Sequence, residues 1–216
     1  MRHANNKIDI SPQALMNAVW DLPCVQSEEP VAHAQGMLLI RQMIEAGADQ
    51  SQLASYGDVD LFEKKPKTPT TPLIIAAANN DITCLTYLLG SPGANPNFID
   101  PDGDTALILA AIHGHPDCVA ILAHVSDPNI QDSHGRTALA RALLEGDPKS
   151  VAILAPITDL AVVDFWGTTA RQIAERHEHA RQYIPLLDSI LERPILAAAS
   201  SSHKEGEAPR PRRMSL

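Results

Sequence analysis

Large aliphatic residues and alanines recur along the middle of the chain as a block that is written three times. Leu73, Ala76, Ala77, Leu85, Leu88 and Leu89 are answered by Leu107, Ala110, Ala111, Val119, Ile121 and Leu122, and then by Leu139, Ala142, Leu143, Val151, Ile153 and Leu154. Each block holds two short apolar runs at helical spacing, which predicts a pair of helices joined by a turn. Alanine lets the helices of a pair approach closely, while the aliphatics face the next pair. One pair cannot bury its apolar side alone, so the pairs must stack. Upstream, Ser11 and Pro12 suit a helix cap and first turn, and Ala14, Leu15, Ala18 and Val19 follow at helical spacing. A second stripe, Met37, Leu38, Ile40, Met43 and Ile44, predicts a helix from about Val31 to Glu45 that Gly47 stops. After Thr169 the chain is more polar, with Arg171, Glu175, Arg176, His177, Glu178, His179 and Arg181, yet Ile173, Ala174, Ile184, Leu187 and Ile190 keep one side apolar. That is the pattern of a closing cap.

A polar phrase separates the blocks. It reads Asp100-Pro101-Asp102-Gly103-Asp104-Thr105-Ala106, then Asp132-Ser133-His134-Gly135-Arg136-Thr137-Ala138, then Asp164-Phe165-Trp166-Gly167-Thr168-Thr169-Ala170. Glycine and threonine keep one spacing throughout, the signature of an array built from one supersecondary unit. Thr71-Pro72-Leu73 begins a further copy upstream.

These residues resemble the ankyrin-repeat family. Thr71-Pro72-Leu73 matches its helix start, Gly114-His115 its turn, and Gly93-Ala94-Asn95-Pro96-Asn97, Asp127-Pro128-Asn129 and Gly47-Ala48-Asp49 its exit. The match runs well over about 71–191 and loosely over 11–50. The family's histidine after Thr-Pro-Leu, which the resemblance assigns to hydrogen bonds between repeats, is replaced by Ile74, Ile108, Ala140 and Gln172. The resemblance implies an all-α solenoid of stacked helix-turn-helix units with β-hairpin finger loops, about four to five units including degenerate caps. The expected division is a capping helical unit over 1–50, a long first finger or insertion over 51–70, the array with its closing cap over 71–192, and a disordered basic tail over 193–216.

Composition narrows the function. The chain has 216 residues, 44% hydrophobic and 20% charged, with aromatics at only 4%, which suits thin stacked helices better than a thick core. No apolar run approaches membrane-spanning length, and the amino-terminal stretch does not read as a secretory signal. The formal charge is −9. Residues 193–216 carry five basic against two acidic residues, so the remainder is the more acidic part. Such a body is repelled by nucleic acid. Cys24, Cys84 and Cys118 show no metal or disulfide spacing, which suits a reducing, cytoplasmic setting; a small repeat protein with a basic end also suits a bacterial effector delivered into a host cell.

Candidate chemistry is sparse. Asp100, Asp102 and Asp104 alternate as in a calcium loop, but the glycine precedes the third aspartate and no glutamate closes the loop. His113 with His115, and His177 with His179, lack partners at metal-ligand spacing. No catalytic constellation appears, and neither a metal nor a cofactor is expected. The resemblance instead implies a monomeric, non-enzymatic adaptor or scaffold that holds another protein on its fingertips and concave helix face. Carried over position by position, the contact residues are Pro101, Asp102, Asp104, Ile112 and His113, then Ser133, His134, Arg136, Leu144 and Glu145, then Phe165, Trp166, Thr168, Arg176 and His177. Phe165 and Trp166 stand out, because large aromatics on turns are over-represented among residues that carry binding energy. The alternative reading puts the activity in the basic tail, where Arg212-Arg213-Met214-Ser215-Leu216 resembles a target of basic-directed kinases and offers Ser215 for phosphorylation.

Overall fold

A computed structural model describes residues 9–22, 30–49 and 70–192. The expected long first finger and the basic tail with Ser215 lie outside the described residues. Helices α1 (Pro12–Trp20), α2 (Pro30–Glu45), α3 (Pro72–Ala78), α4 (Ile82–Leu89), α5 (Ala106–Ile112), α6 (Pro116–Leu122), α7 (Ala138–Glu145), α8 (Pro148–Leu154) and α9 (Ala170–Arg176) follow in order. A 3-10 segment, Glu178–Tyr183, then runs into α10 over 184–192. The fold is all-α and repetitive. Helices α1, α3, α5, α7 and α9 pack in one row, and α4, α6 and α8 form a second row behind it.

Local chemistry sets where the inner helices begin. The hydroxyls of Thr105, Thr137 and Thr169 accept from the backbone N–H groups of Ile108, Ala140 and Gln172, so a donor that a helix start leaves orphaned is satisfied. Gln172 answers Thr169 in a reciprocal capping box. In the outer row, Asp81 and Asp147 accept from the N–H groups of Cys84 and Lys149. Burial then fixes the stack: Leu85, Leu88, Leu107, Ile108, Leu122, Leu139, Leu143 and Leu154 are fully enclosed within one continuous core. Removing each such side chain from water contributes roughly 1.5–3 kcal/mol.

The position where the family carries histidine is filled by packing, with Ile74, Ile108 and Ala140 all buried. Polar links between units come from other histidines. His115 Nε2 donates to the Ala78 carbonyl at 3.0 Å, and His179 Nε2 lies 3.1 and 3.0 Å from the Leu143 and Leu144 carbonyls. Toward the other end, His33 Nε2 donates to the Asp81 carboxylate at 2.8 Å, tying α2 to the cap of α4. A second ladder runs through the exits, where Asn97 Oδ1 accepts from Asp127 N and Asn129 Oδ1 from Asp159 N, both at 2.7 Å.

Candidate functional site

Each finger is organised by the first aspartate of its phrase. Asp132 Oδ1 accepts from His134 N at 2.7 Å and Arg136 N at 2.9 Å, while Asp132 N donates to the Arg136 carbonyl and Gly135 N to the Asp132 carbonyl, both at 2.9 Å. Asp100 binds Asp102 N and Asp104 N in the same way, and Asp164 binds Trp166 N and Thr168 N. The carboxylate therefore replaces a strand ladder as the staple of the turn. Among the described residues the fingers contain no extended strand; the third adds a single antiparallel bridge, Val163 to Thr169. The alternating aspartates at 100, 102 and 104 thus have a structural explanation, since the Asp100 carboxylate is occupied by backbone. No group of three or more His, Cys, Asp or Glu among the described residues is placed to hold a metal.

Neighbouring fingers touch through glycine. A Cβ on Gly103 would lie 2.5 Å from Ser133 N, and one on Gly135 would lie 2.8 Å from Phe165 N, so each glycine admits the backbone of the next finger. Phe165 N donates to the His134 carbonyl at 3.1 Å, and Gln131 Nε2 spans the carbonyls of Gly135 and Val163. Gly167 has the same positive φ, but nothing lies within 4 Å of where its Cβ would be. The third finger is open on its outer side.

That finger presents Phe165 and Trp166 at 75% and 61% exposure. The Trp166 ring stacks with His134 at 6.1 Å between centroids and an interplanar angle of 20°, and the Arg136 guanidinium sits 4.9 Å from the same ring centre. Arg136 Nε is also 3.9 Å from Asp164 Oδ2. Below the second finger, Arg141 on α7 reaches back to pair with Asp132, donating from Nε at 2.6 Å and also from Nη2. Arg141 was not among the expected contact residues. Its signal in the sequence was a lone arginine where the neighbouring blocks carry Leu109 and Ile173.

The other expected contact residues divide by exposure. Pro101, Asp102, His113, Ser133, His134, Glu145 and Arg176 are exposed, and Asp104, Ile112, Arg136, Leu144 and His177 are half-buried. Thr168 is a correction: it is only 2% exposed, and its hydroxyl accepts from Arg176 Nη1 at 2.9 Å, so it holds an arginine beside the finger rather than facing a partner. Partial burial beside the carboxylates of Asp100 and Asp132 raises the Asp104 pKa to about 6, against a smaller lowering by Arg141. Burial, and then the neighbouring His115 imidazole, lower that of His113, with Glu145 opposing.

Comparison with known proteins agrees with the repeat geometry. Residues 73–165 match a family model for ankyrin repeats in three copies. A 47-residue stretch is 45% identical to cortactin-binding protein 2 of Oryctolagus cuniculus; it amounts to 22% of this chain and 3% of that protein, so the chain spans a small fraction of the relative's length. No helix among the described residues is long and apolar enough to cross a membrane.

Proposed function

With residues 73–165 forming an ankyrin-repeat array, we propose that this protein is a non-enzymatic interaction module, an adaptor or scaffold that holds another protein on its fingertips and concave helix face. The observation that carries the reading is the outward display of Phe165 and Trp166 on a finger stapled by Asp164. Exposing two large aromatics in water is costly unless a partner covers them, and aromatic anchors of this kind dominate interface energies. The half-buried Ile112 and Leu144 and the exposed His113 and Glu145 at the ends of α5 and α7 extend the surface onto the helices. The module acts as a monomer in the cytoplasm, where the buried free thiols of Cys84 and Cys118 stay reduced.

Affinity purification followed by quantitative mass spectrometry tests the proposal with three baits: the full chain, a chain ending at residue 192, and the full chain with Phe165→Ala and Trp166→Ala. Partners kept by the truncated chain and lost by the double variant support the finger reading. Partners lost on truncation and kept by the double variant would move the activity to the carboxyl-terminal segment.

A further inference from the structure

The charge that the fingers offer to solvent changes along the array. On the second and third fingers the organising carboxylates are hidden, with side-chain exposures of 0% for Asp132 and 4% for Asp164. Asp132 is further neutralised by Arg141. With those carboxylates covered, the tips expose Phe165, Trp166 and Val163 beside His134 and the partly covered guanidinium of Arg136, whose Nε lies 3.9 Å from Asp164, while Arg176 at the end of α9 is exposed and bonded to Thr168 of the third finger. The first finger is the reverse, with Asp102 exposed and Asp104 half-buried at its tip. A chain of net charge −9 therefore carries, at one end of its finger row, an aromatic platform flanked by two arginines.

We infer that this platform docks an acidic protein segment, one that lays a large apolar side chain on Phe165 and Trp166 and places a carboxylate against Arg136 and Arg176. The inference rests on the proposed role in protein binding and adds the chemistry of the partner. Arg136 is pre-positioned over the indole, so a carboxylate arriving there meets a cation whose geometry is already fixed. Arg176 is held to the third finger by its bond to Thr168 and supplies a second guanidinium there. The negative body does not cancel this attraction, because screening at physiological salt acts over about 8 Å and the contact itself is shorter. The first finger favours the opposite sign, which sets the direction of the bound segment: its acidic end lies at the third finger.

Selection of a random-peptide display library on the full chain tests the inference, followed by affinity measurement of the enriched peptides as synthetic probes. Enriched sequences should combine an aromatic or large aliphatic residue with Asp or Glu. Their affinity should fall on the order of thirtyfold for Trp166→Ala, and should weaken for Arg176→Gln and for Arg136→Gln with loss of the acidic preference. Arg176→Gln is the control should Arg136→Gln disturb the fold, and circular dichroism checks both. Peptides that depend on Trp166 but carry basic or neutral flanks would overturn the acidic segment and leave the interaction module standing. Failure to enrich any peptide, indifference of the peptides to all three substitutions, or binding of a single-stranded oligonucleotide at the same tip would overturn both readings.

Discussion

The second and third fingers are the same turn with different surroundings. Both are closed by a buried aspartate that accepts from two backbone N–H groups, and both place a glycine at positive φ. The second is held from two sides: Arg141 pairs with its carboxylate, and the third finger leans on its glycine. The third has its nearest cation 3.9 Å away and open space beyond Gly167. An interior finger is thus held on both sides, whereas the last is held by its own staple and by the second finger alone, and its outer side is left to present side chains. Identical local chemistry becomes structural in one place and available for recognition in the other.

Removing the staples should separate the two most strongly. Asp132→Ala leaves Arg141, itself largely covered, without its partner, and should cost about 3–5 kcal/mol, the scale for breaking a buried ion pair. Asp164→Ala loses mainly backbone hydrogen bonds and should cost about 1–3 kcal/mol. Urea melts of both variants measure the difference, and equal losses would mean that Arg141 adds nothing to the second finger.

Glycine substitution sharpens the same contrast at a smaller scale. Both Gly135→Ala and Gly167→Ala impose the left-handed strain of about 1–2 kcal/mol. Only Gly135→Ala also drives a methyl into the backbone at Phe165. Its loss in thermal melts should therefore exceed that of Gly167→Ala; the reverse order would contradict the leaning of one finger on the other.

The first finger adds a pH test. Asp104 has a folded pKa of about 6 against an ordinary value of 3.8, chiefly through burial and then the neighbouring carboxylates. A raised acid binds protons more tightly when folded, so its favourable contribution is full below about pH 4 and is lost as pH climbs through 6. Asp104→Asn should flatten the decline in stability over that window, and the change is modest because the group is partly exposed.

Much of this arrangement was legible in the sequence, because a repeated motif exposes its own period. The recurring Gly-x-Thr fixed the phase of the helix pairs, threonine marked the inner helix starts, and Ser11 with Gly47 bracketed the first two helices. What was hidden depends on distance in space. The Asp100, Asp132 and Asp164 carboxylates were visible as a periodic letter, but their role as staples needs the backbone to fold over them. The links from His115 to Ala78 and from His179 to Leu143 cross more than one whole unit of sequence, so no local spacing announces them. Thr168 looked like a surface residue by register and is buried, with its hydroxyl accepting from Arg176 and its N–H donating to Asp164. The exposure of Phe165 and Trp166 was likewise undecidable from sequence, since an aromatic pair beside a terminal cap packs inward as readily as it points out.

The central claim is that those two aromatics are displayed and contribute little to the fold, and the most direct measurement is equilibrium urea unfolding of the Phe165→Ala, Trp166→Ala double variant beside the parent chain. With exposures of 75% and 61%, the pair should contribute less than about 1 kcal/mol to stability, and the midpoint should barely move. A loss of about 3–5 kcal/mol, the scale for truncating a buried aromatic, would show that the pair is packing and contradict its assignment as a partner's landing site.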